Sequence, residues 1–486
     1  MRLFAFLLVG CVPQWPEGLL QDPNHDFDGD GFNENQGDCD DNKVAATPEG
    51  TELCSDDIDN DCVGGKIGCP TDISSYVCQP GIFAKTYGNN SFPVVSLGKS
   101  NNRTQILLGG DEADKVFVLE VSENGDCDAR FELTATDGSG MGTAIIEAPG
   151  ILAENTAVAI GGPAENSLSL AGEVGLYYKE DLQLNGALNP QITLTDDTPT
   201  TNFGYSMAIR TTQGSPQQLA IAAPAFDSLS QTPKVYLFNG ALEQETDISE
   251  AKAVLVGEPA SKFGGYTMAS DITGDGDTDL MIVESHPKTR VHILTNSGLD
   301  GVVEASYESD YSLTTTADIH NFSRDVSMTA GDFDGDGQTD LLFAAMQTNE
   351  PCGQIWLIPG GEALQSGDMS VLAVATIDGP DQESEVISSR MIIAAAGDAN
   401  EDGFADFVLG AAAAGVGNHG EAYLATGPFE GQHYLEFRAT PYYDSDPDKY
   451  SFGRWVGSVD AMGDSTPELV IAGMDRLFFL PTPLPW

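Results

Sequence analysis

A short apolar stretch with a small-residue ending returns seven times along the chain, and few folds can accommodate such a pattern. The copies read QILLGG (105–110), AVAIGGP (157–163), QLAIAAP (218–224), LMIVESH (280–286), LLFAAMQ (341–347), FVLGAAA (407–413) and LVIAGM (469–474). With Gly109, Gly161, Ala222, Val283, Ala344, Gly410 and Ala472 as equivalent anchors, the intervals are 52, 61, 61, 61, 66 and 62 residues. A Phe-Gly pair precedes three copies, in NFGYSMAI (202–209), KFGGYTMAS (262–270) and SFGRWVGS (451–458). A further strand follows four of them: KVYLF (234–238), RVHIL (290–294), QIWLI (354–358) and EAYLA (421–425). Each unit offers about four short strands, too few to enclose a core alone. Units packed face to face around an axis bury both faces of each sheet and leave only short edges. The pattern therefore predicts an all-β, seven-bladed β-propeller over residues 76–486; an open β-solenoid, the competing arrangement, prefers shorter and more uniform repeats. The chain ends soon after RLFFL (476–480), one strand short of a full last blade. A strand at GIFAKTY (81–87) is expected to complete the seventh blade and remove two exposed edges.

Acidic turns precede several of these strands. In GDFDGDGQTDLLFAA (331–345), Asp332, Asp334, Asp336, Gly337 and Asp340 occupy positions one, three, five, six and nine of a calcium loop, with Gln338 at seven offering its backbone carbonyl. An EF-hand needs a bidentate glutamate at position twelve between two helices; here position twelve is Phe343, inside a strand. Two more copies follow the pattern. Asp398, Asn400, Asp402 and Asp406 recur in DANEDGFAD, with Phe404 at seven; Asp271, Thr273, Asp275 and Asp279 recur in DITGDGDTD, with Asp277 at seven. Threonine is a poorer ligand than aspartate, so the 271–279 loop should be the weaker site. In the seventh unit Met462 stands at position three and Glu468 at nine, and little or no metal is expected there; the third unit's RTTQGSPQQ (210–218) has no carboxylate. The alternative is a set of Asp/Gly turns that merely cap hairpins.

Phe-Gly followed by a Gly-Ala-Pro-like ending, joined by an Asp-rich loop, resembles the FG-GAP repeat of integrin α-subunit heads and related bacterial surface proteins. The resemblance covers most of the chain from residue 76 onward. It implies a seven-bladed propeller, compact calcium loops within the blades, and presentation of one face to a protein or glycan ligand. The fifth unit departs from it, with Asn321-Phe322-Ser323 in place of Phe-Gly, and the fourth ends in Glu284-Ser285.

The formal net charge of −54, from 21 basic and 75 acidic residues, opposes binding to nucleic acid or anionic lipid and favours cations. The start, MRLFAFLLVGC, has one arginine before a short apolar run, and Leu8-Val9-Gly10-Cys11 resembles the lipobox of bacterial lipoproteins. That resemblance implies a signal peptide over 1–10, acylation of Cys11, a linker over 11–21, and attachment outside the cytoplasm at the outer membrane or cell surface. Residues 22–70 are acidic, cysteine-bearing and poor in apolar periodicity, so they need disulfides, metal or both to fold. DFDGDG, GDCDD and ELCSDDIDNDC in this segment resemble the acidic metal-binding motif of MopE-like surface proteins. The resemblance implies hard-oxygen ligands for calcium from Asp26, Asp28, Asp30, Asp38, Asp40, Asp41, Asp59 and Asp61; a disulfide-stapled acidic spacer is the plainer reading. Cys39, Cys54, Cys62, Cys69, Cys78 and Cys127 are disulfide candidates, and their spacing leaves the pairing open.

No catalytic motif emerges. HExxH and GxSxG are absent, and Gly415–Gly420 matches GxGxxG but leads into a strand. His286 and His292 read as exposed loop and strand residues. The expected function is a non-enzymatic, calcium-binding surface lipoprotein for adhesion or envelope assembly. A hydrolase or lyase with a site at the propeller axis is the alternative, which a buried carboxylate or histidine in an axial pocket would favour.

Overall fold

A computed structural model describes residues 71–72 and 77–78 and most of 94–482, apart from connecting segments of which 316–325, 379–390 and 444–451 are the longest; before residue 71 it describes only Phe32, Asn33, Gln36, Cys39, Lys43 and Ala46. The chain divides into residues 1–69 and 70–485. The second part is a seven-bladed β-propeller, with seven sheets of four or five strands. The repeated stretch supplies the second strand of each blade: Arg103–Gly110, Ala157–Gly162, Gln218–Ala223, Asp279–Glu284, Asp340–Ala345, Asp406–Ala411 and Glu468–Ala472. From the second blade to the seventh every residue of this strand is buried. A strand covered on both faces reads as a continuous apolar run rather than an alternating one, and that is why the repeat is visible in the sequence.

Seven apolar clusters fill the interfaces between adjacent blades. One of them joins Leu119 of the first blade to Phe479 of the seventh, and another joins Phe343 of the fifth to Met281 of the fourth. The Phe-Gly pairs and small anchors meet at these interfaces. Gly204 has φ of 89°, and its carbonyl oxygen lies only 2.2 Å from where a Cβ on Gly161 of the preceding blade would stand. Gly453 repeats the approach at Gly410, with 2.1 Å to the same position. The phenylalanines beside these turns, Phe203, Phe263 and Phe452, are buried. The two halves of the repeat signature are thus the two sides of one backbone contact between neighbouring blades.

The ring closes with residues from the start of the propeller. Val77–Cys78 pairs antiparallel with Leu477–Leu480 and takes the outer position of the seventh blade, with Val77 opposite Phe478 and Cys78 opposite Leu477. The closure expected of an N-terminal strand is present, but it is made by residues upstream of 81–87, which lie outside the described residues. A second pairing extends it. In the second to fifth blades, the stretch leading to the next blade's outer strand reaches back and adds a parallel fifth strand; Gly301–Glu304, for example, pairs with Ala253–Val256. For the sixth blade that fifth strand is Thr71–Asp72, paired with Tyr442 and Tyr443. Thr71–Asp72 and Val77–Cys78 therefore supply the fifth strand of blade six and the outer strand of blade seven. Blades one and seven have four strands. Only four residues separate the last two strands of blade one, Lys115–Ser122 and Cys127–Thr134, too few to reach back to blade seven.

The inner strands surround an axial cavity of about 300 Å³, lined by residues from all seven blades, including Val94, Ile145, Met207, Thr267, Ser327, Ile393 and Val456. Its described lining offers alkyl groups, aromatic rings and hydroxyls, without a carboxylate or imidazole. Several of those hydroxyls tie neighbouring blades together: Ser206 donates to the Gly264 carbonyl at 2.8 Å and Ser458 to the Ala395 carbonyl at 3.0 Å.

Candidate metal centre

The acidic loops join the inner and second strands of blades four, five and six. Each is built around the last residue of its pattern, which is also the first residue of the buried strand. Asp279, Asp340 and Asp406 are fully buried. Asp340 Oδ2 accepts from the Phe333 and Asp334 backbone N–H groups at 3.0 and 3.2 Å, and Oδ1 accepts from Gly360 at 3.1 Å. Asp406 does the same with Ala399 at 2.8 Å and Gly427 at 3.0 Å. Asp279 Oδ2 accepts from Ile272 and Thr273, but its Oδ1 has no partner. In blade seven Glu468 replaces the aspartate and still accepts from Ala461 and Met462, at 2.6 and 2.9 Å. The position-nine carboxylate is accordingly a structural anchor in every blade that carries an acid there.

Position one folds the turn. Asp332 accepts from Gly335 and Gly337, Asp271 from Gly274, Asp275 and Gly276, and Asp398 from Asp402 and Gly403. Positions four and six are both left-handed. Gly335 and Gly337 have φ of 81° and 85°, and in blade six Glu401 takes position four at 60°, a conformation that costs a non-glycine residue about 1 kcal/mol.

In blade five, ligand atoms of Asp332, Asp334 and Asp340 all lie within 4.8 Å of one another, the one such convergence of three acids among the described residues. Asp336 stands outside this group, exposed, with its Oδ1 accepting from Gln338. Asp334 is pushed up from the ordinary carboxylate range by burial and by the charges of Asp336, Asp332 and Glu430. Burial, against the opposing pull of backbone N–H donors, raises Asp340 and Asp406 to about 7, with neighbouring aspartates adding to the rise. Asp279 is raised for the same leading reason. The donor set is all oxygen and net negative, which fits a hard divalent cation. The fit is poorer in blade four, where the Thr273 hydroxyl donates to Asp279 at 3.0 Å. In blade six the Asn400 amide is turned to Asp402 at 2.8 Å.

These raised carboxylates set the pH response of the metal-free chain. Their folded pKa values exceed the unfolded value of about 3.9, so their contribution to stability is complete below that value and is lost as pH rises through about 7. In chelator the melting temperature should fall between pH 4.5 and 7.5, and Asp340→Asn with Asp406→Asn should flatten the slope. A melting temperature that is level or rises in chelator would contradict this account.

Two features escaped the sequence reading. Arg210, at position one of the third unit's carboxylate-free loop, is buried and donates through Nε to the Thr278 carbonyl at 3.1 Å and through Nη2 to the Thr295 carbonyl. It ties blade three to the acidic loop of blade four. His292, expected to be exposed, is 1 % exposed; its Nε2 is 2.9 Å from Glu284 and its Nδ1 is 2.8 Å from Ser309 Oγ. Glu284 is the residue that breaks the small-residue ending of the fourth repeat. Its carboxyl, which burial would push up, is held below the ordinary value by hydrogen bonds from His292 and the Glu258 N–H. The substitutions compensate each other: an acid where other blades have Ala or Gly, and a histidine where they have Tyr236, Trp356 or Tyr423.

Cys39 and Cys127 each take part in a disulfide. The other N-terminal positions singled out, Cys11, Asp26, Asp28, Asp30, Asp38, Asp40, Asp41, Cys54, Asp59, Asp61, Cys62 and Cys69, lie outside the described residues. Among the described residues no helix is long and apolar enough to cross a membrane.

Residues 271–343, running from the first residue of the blade-four loop into the second strand of blade five, match the family of FG-GAP-like repeats. That stretch of the propeller is similar to an FG-GAP-like repeat. Over 137 residues the chain is 31% identical to integrin alpha-4 of Xenopus laevis, which is 27% of this chain and 13% of that protein. A chain of the crystal structure of BBS1N in complex with ARL6DN, soaked with lead, aligns over 83% of this chain and 96% of its own length, with a TM-score of 0.45 and 10% identity. The FG-GAP-like match covers the loop in which three aspartates converge.

Proposed function

We propose that this chain is a calcium-stabilised surface module, anchored by acyl chains at Cys11, that presents a propeller face to a protein or glycan partner in adhesion or envelope assembly. The observation that carries the reading is the convergence of Asp332, Asp334 and Asp340 on one point from a loop already folded by its own hydrogen bonds. Holding three carboxylates together without a cation costs electrostatic and desolvation energy, and an ion removes that cost. Similarity to an integrin alpha chain and the FG-GAP-like repeat support a binding role. The hydrolase or lyase alternative draws no support from the axial cavity, whose described lining lacks an acid or base of the kind it needs.

Calcium titration of the chelator-stripped chain tests this. Binding in the 10⁻⁴ to 10⁻³ M range usual for extracellular modules, abolished at the strongest site by Asp334→Ala, is the expected result. A chain that takes up no calcium, and crystals whose blade loops give no anomalous peak, would overturn the metal reading. Cell fractionation addresses the anchor separately: Cys11→Ser should leave the membrane fraction, and its retention there would remove that part.

A further inference from the structure

Residues 70–485 contain three cysteines, Cys78, Cys127 and Cys352; Cys39, in the other part of the chain, is also disulfide-bonded. Cys127 is disulfide-bonded and begins the outer strand of blade one. It packs against the apolar cluster between blades one and seven, which contains Val121, Leu477 and Phe479. Phe478 and Leu480, alternating with them, belong to the cluster on the other side of blade seven. Cys78 lies directly opposite Leu477 in the antiparallel closing pair. Residues directly opposite in such a pair share one face of the sheet, so the register places Cys78 on the face of blade seven that meets blade one. Cys352 belongs to the stretch between Asp340–Ala345 and Gln354–Ile358, in blade five.

We infer that Cys127 is bonded to Cys78, and that this disulfide is a covalent lock across the closing seam of the ring. The seam needs one. The closing strand has two residues in register with blade seven, and the strand before it has two with blade six. A disulfide removes conformational freedom from the open chain, which makes so short a ladder sufficient. The bond forms by thiol–disulfide exchange. The thiolate of one cysteine attacks a donor disulfide, the second thiolate displaces the donor's sulfur from the mixed disulfide, and the donor leaves as a dithiol carrying the two electrons and two protons. Closure of the propeller thereby depends on an oxidising compartment.

Peptide mapping of the full, unreduced chain tests the inference. Free thiols are alkylated first, and trypsin followed by chymotrypsin, which cuts after Tyr76, separates Cys78 from Cys69. The expected product is a peptide containing Cys78 joined to one containing Cys127. Finding Cys127 joined to Cys39 or to any cysteine other than Cys78, or alkylated, overturns it. Thermal melts read the locking role. Cys78→Ala, Cys127→Ala and the double variant should share one lowered melting temperature, equal to that of the wild type under dithiothreitol. Additive losses, or a wild type whose melting is unmoved by reductant, would show that the bond does not lock the seam.

Discussion

Asp340→Ala should destabilise the propeller by about 3–4 kcal/mol, in chelator as well as in calcium. The substitution strips the acceptor from the N–H groups of Phe333, Asp334 and Gly360. Each buried donor left unsatisfied costs about 1–3 kcal/mol, less where the exposed loop lets water in. Phe333 is fully buried and packs edge-on against Phe407 at 6.3 Å, so the damage reaches the interface between blades five and six. Asp336→Ala, which removes one exposed acceptor, should cost under about 1 kcal/mol in chelator. Urea denaturation of both variants, with and without calcium, measures this. Equal losses for the two in chelator would mean that position nine is only a metal ligand, and that its hydrogen bonds within the protein count for little.

Gly410→Ala is the second large effect, at about 3 kcal/mol. A Cβ there would lie 2.1 Å from the Gly453 carbonyl oxygen and 3.0 Å from its carbon, so the backbone of the next blade must move. Overpacking usually costs about 1–3 kcal/mol, and rigid backbone on the other side puts this case at the upper end. Gly431→Ala separates crowding from conformational strain. Gly431 has φ of 81° but nothing within 4 Å of a Cβ, so its cost is only the left-handed conformation, about 1–2 kcal/mol. If thermal melts ranked Gly431→Ala above Gly410→Ala, close approach between blades would not explain the small-residue anchor.

Much of the fold was legible because one steric contact repeats. Gly161 and Gly410 must be small for Gly204 and Gly453 to approach, so the signature marks an interface that recurs at each such turn. The buried second strands added runs such as LLFAA and FVLGA, whose period could be counted. The closing strand was placed a few residues late because its ladder is two residues long and leaves almost no pattern. In the loops, spacing alone picked out Asp332, Asp334 and Asp340, since a tight turn folds nearby positions together. The anchoring role of position nine was hidden. Its donors Gly360 and Gly427 lie 20 and 21 residues downstream, at the end of another strand. His292 was misread for a related reason. Polar residues in an exposed strand and a compensating buried pair look alike until Glu284 is seen across from it.

The pairing of residues 71–78 with the last two blades has a consequence for biogenesis. The segment that leaves the ribosome before any blade finds its neighbours only after Leu480 has been made, roughly four hundred positions later. Long-range pairing of this kind is slow and leaves intermediates with open edges. Such a polypeptide gains little from folding as it is synthesised. The circle is joined late, once blade seven is there to receive the early segment.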